Sequence, residues 1–192
     1  MNASWIQRFL CSFFMLCFYV SAFPINRDSL VTALSSSKED TNLVSKYYET
    51  GWEFERDLPD SAMYFYNKGL ELSKNLDFRN GEIRYYFNAT AVYNIKSDYK
   101  TSLKLNKESV EMAIDYGNSK LIAAALGNVG SSYSVMGRYD SAVFYFFKAS
   151  KYVEQLQDSV GMAVLYSNMC GTYNSLRQYE KALEYGKGYC SF

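Results

Sequence analysis

The stretch of sequence that decides the fold is LGNVGSSYSVMGRYDSAVFYFFKAS, residues 126–150. Its apolar residues recur at the three- and four-residue spacing of an α-helix on both sides of Gly137 and Arg138, and a glycine between two such patterns is typical of a turn. The stretch therefore predicts two helices joined by a tight turn, the first near 119–136 and the second near 139–157.

The same pattern returns along the chain with a period of 40 residues. The columns in register are a tyrosine before each turn, a tyrosine after it and a small residue three positions later: Tyr93, Tyr133 and Tyr173; Tyr99, Tyr139 and Tyr179; Ser102, Ala142 and Ala182. Several columns in one register indicate an internal repeat. A weaker copy precedes them, in which Pro59 replaces the turn tyrosine and the turn between Gly51 and Ala62 is one residue short.

The repeat predicts a chain of helix pairs. First helices are expected near 41–55, 80–96, 119–136 and 159–176, and their partners near 60–76, 99–116, 139–157 and 179–190. Because small residues let two helix backbones approach closely, Gly130 on a first helix is expected to face Ala142 on its partner. Large aromatic side chains then fill the space between pairs, which accounts for the 19 tyrosines.

The quoted stretch resembles the tetratricopeptide repeat, whose pattern is W-x2-L-G-x2-Y followed by A-x3-F and A. The residues in those places are Leu126, Val129, Gly130, Tyr133, Ala142, Phe146 and Ala149. The resemblance covers residues 41–190, with departures at Asn106, Gly186 and Tyr189. It implies an all-α fold, a right-handed α-solenoid of about four helix-turn-helix units. The long period behind an export signal is similar to the periplasmic repeat regions of bacterial sensor and regulator proteins.

Members of this family bind partners in a concave groove lined by the first helices, and the resemblance implies the same here. The candidate binding residues on that face are Arg84, Phe87, Asn94, Ser131, Ser134, Ser167 and Asn174. The face is small, neutral and hydroxyl-rich, which suits a peptide backbone or another polar ligand; the alternative is that these are solvated helix positions. Since Arg84 is its one cation, the basic clamp of the chaperone-binding members is not expected.

A column of asparagines, Asn88, Asn128 and Asn168, also keeps the 40-residue spacing. One interpretation is a ladder of amides that binds a ligand along the groove. The other is structural, with each side chain hydrogen-bonded to the backbone of the neighbouring helix. The sequence leaves both interpretations open.

The composition argues against an enzyme. The chain has no histidine, which removes the usual general base and the commonest metal ligand. It has 20 basic and 20 acidic residues, so no net charge attracts nucleic acid. We therefore expect no catalytic residue, no metal, no cofactor and no nucleic-acid partner.

The N-terminus predicts export. Residues 9–22, FLCSFFMLCFYVSA, follow Arg8 and form an apolar run that ends in small residues, as in a secretory signal. We expect cleavage after Ala22, and the alternative is an uncleaved anchor in the inner membrane. Cys11 and Cys17 leave with the signal. Of the remaining two cysteines, Cys170 is expected to be a buried free thiol, because a bridge to Cys190 needs a favourable side-chain direction.

The expected organisation is a signal peptide at 1–22, a linker or partial helix at 23–40 and a repeat array at 41–192, with units near 41–78, 79–118, 119–158 and 159–192. The last unit is expected to be without the polar cap that solenoids normally have. Tyr185, Tyr189 and Phe192 are expected to form an exposed apolar edge, with self-association through that helix. The predicted function is a non-catalytic scaffold, exported to a bacterial periplasm, that binds a protein or peptide segment. The alternative is the truncated periplasmic sensory region of a two-component or transcriptional regulator.

Overall fold

The helical periodicity of the sequence produces a run of antiparallel helices. The computed structural model describes Thr32, Leu34 and residues 37–189, and within residues 41–189 the helices are α1 (Thr41–Phe54), α2 (Pro59–Asn75), α3 (Arg79–Ile95), α4 (Tyr99–Tyr116), α5 (Ser119–Val135), α6 (Tyr139–Leu156), α7 (Ser159–Ser175) and α8 (Tyr179–Tyr189). The predicted helix boundaries are confirmed to within one residue wherever the structure describes them. The pairs α1–α2, α3–α4, α5–α6 and α7–α8 are called repeats 1 to 4 below.

Each connection between consecutive helices from α2 onward contains one residue in the left-handed backbone conformation. These residues occur every 20 positions: Asp77, Ser97, Gly117, Gly137, Gln157 and Arg177. The N–H of the following residue then bonds the carbonyl five positions back, as from Asp98 to Tyr93 at 2.8 Å and from Arg138 to Tyr133 at 2.9 Å. This geometry satisfies carbonyls that the helix end leaves free and reverses the chain.

The first turn is one residue short, as the sequence predicts, and the left-handed residue is the one missing. Residues 55–58 have no positive φ among the described backbone angles, and Pro59 begins α2 directly. Its fixed φ and absent N–H suit the first position of a helix. The Tyr66 hydroxyl donates a hydrogen bond to Glu55 at the end of α1 and so ties this shorter turn to α2.

The close approach of the two helices in a repeat depends on a ring packed against a glycine. A Cβ added to Gly130 would lie 2.6 Å from the Phe146 ring, and one added to Gly51 would overlap the Tyr66 ring. The sequence predicts Ala142 opposite Gly130; the nearest atoms there belong to Phe146, one turn further along α6. Ala142 is also fully buried.

We call the residues that correspond to Phe146 the ring position and those that correspond to Gly130 the facing position. The ring position holds Tyr66, Asn106, Phe146 and Gly186, and the facing position holds Gly51, Thr90, Gly130 and Cys170. The spacing from Gly51 to Thr90 is one residue less than the period because the first turn is short. An aromatic ring therefore occurs where the facing residue is glycine, and glycine occurs where the facing residue is Cys170.

A second aromatic contact joins the two helices of three repeats. Parallel ring stacks form between Phe54 and Phe65 in repeat 1, Tyr133 and Tyr145 in repeat 3, and Tyr173 and Tyr185 in repeat 4. Leu105 replaces the second ring in repeat 2. The hydrophobic core of repeats 3 and 4 continues into repeat 2, but only two fully buried residues of repeat 2, Ile83 and Ala113, belong to it.

The first helices of successive repeats contact one another, α1 with α3, α3 with α5 and α5 with α7. These helices belong to one compact unit, residues 39–192. Together they form a right-handed α-solenoid, which confirms the predicted fold class. In the part of the chain that the structure describes, no helix is long and apolar enough to span a membrane.

Several predictions fall at the ends of the chain. The signal peptide at 1–22, Cys190 and Phe192 lie outside the described residues, as does the side chain of Tyr189. The prediction that Tyr185 lies on an exposed edge is wrong, because its ring packs on Tyr173 and Tyr166 inside repeat 4. Cys170 is a free thiol, half-buried rather than buried.

Candidate binding groove

A cavity of about 460 Å³ opens between α5 and α7, beside the C-terminal end of α6. The residues around it come from these three helices and the turn between α6 and α7: Lys120, Ala123, Ala124, Gly127, Asn128, Val153, Leu156, Asp158, Val160, Gly161, Val164, Leu165 and Asn168. It lies between the first helices of repeats 3 and 4, where the resemblance places a binding groove. Its size is in the range of ligand pockets.

The wall that α7 contributes is aliphatic and unusually exposed. Val160 is 76% exposed and Val164 is 56% exposed, and they lie one helical turn apart. The opposite side of α7 is buried in the core through Met162, Leu165 and Met169. A helix that is apolar on both sides is normally covered on both sides, so the exposed side has the character of a contact surface.

Two asparagines supply the polar groups of the cavity. Asn128 on α5 and Asn168 on α7 both line it, and both are half-buried. Among the described residues, neither side-chain amide takes part in a hydrogen bond; the side chains of Asn106 and Thr172 donate instead to the backbone carbonyls of Asn128 and Asn168. The interhelix hydrogen bond of the structural interpretation is therefore not observed for these two residues, and both amides are available to a ligand.

The charged residues of the cavity neutralise each other. The Lys120 Nζ lies 3.8 Å from Asp158 Oδ2. Asp158 also accepts a hydrogen bond from the Gly161 N–H at 3.0 Å and thereby caps α7. Because the acid is held by both contacts, the cavity presents no uncompensated charge to a ligand.

None of the seven predicted binding residues lines this cavity. Three of them have partners inside the protein. Arg84 donates to Ser45 Oγ at 3.1 Å and lies over the Tyr48 ring. Phe87 packs against the core, and the Ser134 hydroxyl is 3.2 Å from that of Thr172. The amide oxygen of Asn94 is buried. Ser167 and Asn174 are exposed and Ser131 is half-buried, so these three remain candidates.

Sequence reasoning missed Val160, Val164 and Leu156 as surface residues. Val160 and Val164 have the four-residue spacing of the buried stripe of an amphipathic helix. The N-terminal half of α7 is almost entirely apolar and the helix has no charged residue, and this was the signal that could have identified the two valines. Among residues 37–189, no three His, Cys, Asp or Glu side chains lie close enough to hold a metal ion.

The fold is shared with solved structures of tetratricopeptide-repeat proteins. No protein-family model matches the sequence, and no curated protein matches it. Among solved structures, a signal-transduction ATPase of the STAND class with a tetratricopeptide repeat sensor, from Pyrococcus horikoshii, has a TM-score of 0.69 at 19% identity; the match covers 86% of this chain and 26% of that chain.

Two further structures are similar over most of this chain. A Rap protein complexed with competence and sporulation factor has a TM-score of 0.73 at 17% identity, covering 82% of this chain and 44% of that chain. BtubC from P. vanneervenii has a TM-score of 0.67 at 17% identity, covering 86% of this chain and 69% of that chain. The chain thus spans less than half the length of the first two proteins, and the likeness concerns the fold.

Proposed function

We propose that this chain, which has the tetratricopeptide-repeat fold, is a non-catalytic scaffold that binds a protein or peptide segment between its first helices. The observation that carries the proposal is the aliphatic cavity between α5 and α7, with Val160 and Val164 exposed at its wall. Aliphatic side chains of a ligand would cover that wall and remove it from water. The free amides of Asn128 and Asn168 each offer one donor and one acceptor group, which matches a peptide bond.

One of the similar structures supports a binding role for this fold. It is that of a Rap protein complexed with competence and sporulation factor, so a protein of this fold holds a bound partner. A non-catalytic role is supported by the lack of histidine in the chain. General acid–base catalysis needs titratable groups converging on one point, and the only charged pair at the cavity is the mutually neutralised Lys120 and Asp158.

A second candidate function is the sensory region of a signal-transduction protein. It is favoured by the structural likeness to a signal-transduction ATPase whose repeats are described as its sensor. In that case the segment bound at the cavity would be the input signal. Fusion of residues 23–192 to the output domain of a reporter kinase, with ligand-dependent activity as the readout, separates a sensor from a passive scaffold.

We also propose that the protein is exported to a bacterial periplasm, on the strength of Arg8, the apolar run at 9–22 and the small residues that end it. Mass spectrometry of the protein from a periplasmic fraction should give the mass of residues 23–192. An intact N-terminus in the membrane fraction would favour the anchored form instead.

The binding proposal can be tested by selection from a phage-displayed library of random heptapeptides. Val164→Lys places a charge on the wall of the cavity, whereas Ile114→Lys changes an aliphatic residue of similar exposure, 54% against 56%, on α4. We expect the selected peptides to share an aliphatic residue, to bind the wild type and Ile114→Lys equally, and to lose at least tenfold in affinity for Val164→Lys. Peptides that bind Val164→Lys as well as the wild type would place the binding site elsewhere.

A further inference from the structure

Repeat 2 differs from its neighbours in the polarity of its interior. Thr90, Ser102, Asn106 and Ser109 are all buried there, where repeat 3 places Gly130, Ala142, Phe146 and Ala149. Three buried side-chain oxygens of the described residues have no hydrogen-bond partner, and all three belong to repeat 2: Asn94 Oδ1, Ser102 Oγ and Asn106 Oδ1. Such groups lose their hydration without compensation, which is unfavourable unless a partner is present.

The internal repeat indicates that these groups lie close together. Asn106 holds the ring position, and Asn94 corresponds to Glu55 of repeat 1 by the same register that aligns Thr90 with Gly51. In repeat 1 the residues at these two positions, Tyr66 and Glu55, are joined by a direct hydrogen bond. Ser102 lies one helical turn from Asn106 on the same face of α4.

The asparagine side chain is too short to repeat the contact of repeat 1. Its amide nitrogen is held by the next repeat, where it donates to Ser132 Oγ at 2.8 Å and to the Asn128 carbonyl at 3.3 Å. The amide oxygen is buried without a partner, and the repeat register predicts that it lies on the side of repeat 2 where the Tyr66 hydroxyl contacts Glu55 in repeat 1. Both Asn94 and Asn106 leave an acceptor oxygen there, and two acceptors can be joined only by a group that donates twice.

We infer that ordered water occupies the interior of repeat 2 and bridges Asn94 and Asn106, with the Ser102 hydroxyl as a third partner. Water can donate two hydrogen bonds and accept others, and buried water typically has about three protein partners. We call this water and its three protein partners the hydrated seam. It takes the place of the aromatic ring at the ring position of repeats 1 and 3.

A crystal structure of residues 23–192 at a resolution better than about 1.8 Å provides the direct test. We expect a density peak within hydrogen-bonding distance, about 2.5–3.2 Å, of both Asn94 Oδ1 and Asn106 Oδ1. A direct contact between the two side chains, or an interior without density, would overturn the inference.

A pair of variants tests the same inference in solution. Thr90→Gly with Asn106→Phe gives repeat 2 the residues of repeat 3 and should displace the water, so water relaxation dispersion should detect at least one fewer long-lived molecule than in the wild type. The melting temperature should rise by about 2 °C or more. Thr90→Gly alone is the control and should keep the water. An unchanged number of long-lived waters in the folded double variant contradicts the inference.

The melting temperature of Ser102→Ala can be compared with that of Ser73→Ala as a control. Ser73 and Ser102 are both fully buried, but the Ser73 hydroxyl donates to the Gly69 carbonyl at 2.7 Å. If Ser102 is bonded to water, Ser102→Ala should leave the melting temperature unchanged or lower it, as is expected for Ser73→Ala. A clear rise for Ser102→Ala alone would mean that the hydroxyl is dry and unpaired, which is incompatible with the hydrated seam.

Discussion

The ring of Phe146 lies so close to the backbone of Gly130 that a Cβ on this glycine would be 2.6 Å from it. The two residues lie on opposite helices of repeat 3 and set the distance between α5 and α6. Because α6 also presents fully buried Ala142 and Ala149 toward α5, neither helix can retreat without opening the core. The glycine is thus required for steric room, in the middle of a helix where it is otherwise unfavourable.

Gly130→Ala is therefore expected to destabilise the protein. The added methyl group forces the Phe146 ring or the helix to move, and overpacking of this kind lowers the free energy of unfolding by about 1–3 kcal/mol. Gly171→Ala is the control, because a Cβ at Gly171 meets no atom within 4 Å and should raise stability by roughly 0.5–1 kcal/mol through helix propensity. Urea unfolding measures both. Equal effects of the two substitutions would contradict the packing.

The relation between the ring position and the facing position predicts a coupled pair in repeat 4. Gly186→Phe alone should lower the free energy of unfolding: a Cβ at Gly186 would already be in van der Waals contact with Cys170 Sγ at 3.5 Å, so the ring beyond it has no room. Adding Cys170→Gly recreates the pair found in repeat 3 and should recover stability. A double-mutant cycle should give a favourable coupling of about 0.5–3 kcal/mol. Additive effects of the two changes would show that the two positions are independent.

Buried tyrosines predict a loss of stability in alkali. Burial raises the pKa of Tyr48 from 10.0 to about 12, and its hydroxyl donates to the Gly81 carbonyl at 2.8 Å; burial also raises the pKa of Tyr66. The unfolded chain releases these phenol protons at lower pH than the folded one. The contribution of the two tyrosines to the free energy of unfolding is therefore fully present below pH 10 and is lost as pH rises toward 12. Tyr48 alone accounts for on the order of 2–3 kcal/mol.

Urea unfolding at a series of pH values from 8 to 11.5 measures this dependence. Tyr48→Phe should lower the free energy of unfolding at pH 8, because it removes a hydrogen bond. Above pH 10 the free energy of unfolding of this variant should fall less steeply with pH than that of the wild type. The exposed Tyr116 provides the control for removing a phenol, and Tyr116→Phe should follow the wild-type curve. If Tyr48→Phe falls as steeply as the wild type, burial of Tyr48 is not a source of the pH dependence.

Helix α8 should be the least protected of the second helices. Leu183 is 59% exposed, whereas Leu103 and Val143 in the same column are half-buried beside the following repeat. Fewer apolar contacts lower the free energy of local opening, so amides of residues 179–189 should exchange faster than those of 139–156 in a monomeric sample. Equal protection in a monomer would contradict this, and protection that depends on protein concentration would indicate the self-association expected through this helix.

The sequence was sufficient for the helices because the 40-residue period repeats tyrosines and small residues at the turns inside repeats 2, 3 and 4. It did not identify four of the six left-handed turn residues, since Asp77, Ser97, Gln157 and Arg177 are not glycine. Their conformation comes from the hydrogen bonds of the helix ends rather than from residue type. The sequence likewise does not show which residue of α6 packs against Gly130, because this depends on the rotation of α6 about its axis. In the structure Phe146, rather than Ala142, lies nearest.

The candidate site was harder to predict than the fold. The predicted groove residues are, apart from Phe87, polar positions of the first helices, and Arg84 and Ser134 prove to join neighbouring helices instead. The cavity lies toward the N-terminal halves of α5 and α7, where aliphatic residues such as Val160 have the spacing of a core. Which side of such a helix is exposed depends on the packing of three helices, and no local pattern encodes that.

Binding of a ligand segment between α5 and α7 is tested most directly by NMR mapping of the bound peptide. A heptapeptide selected against the wild type is added to ¹⁵N-labelled residues 23–192, and both side-chain and backbone amide shifts are followed. The largest changes are expected at the side-chain amides of Asn128 and Asn168 and at the backbone of Gly161, with little change at Ile114. Changes centred on α4 or α6 with the two asparagine amides unmoved would contradict it.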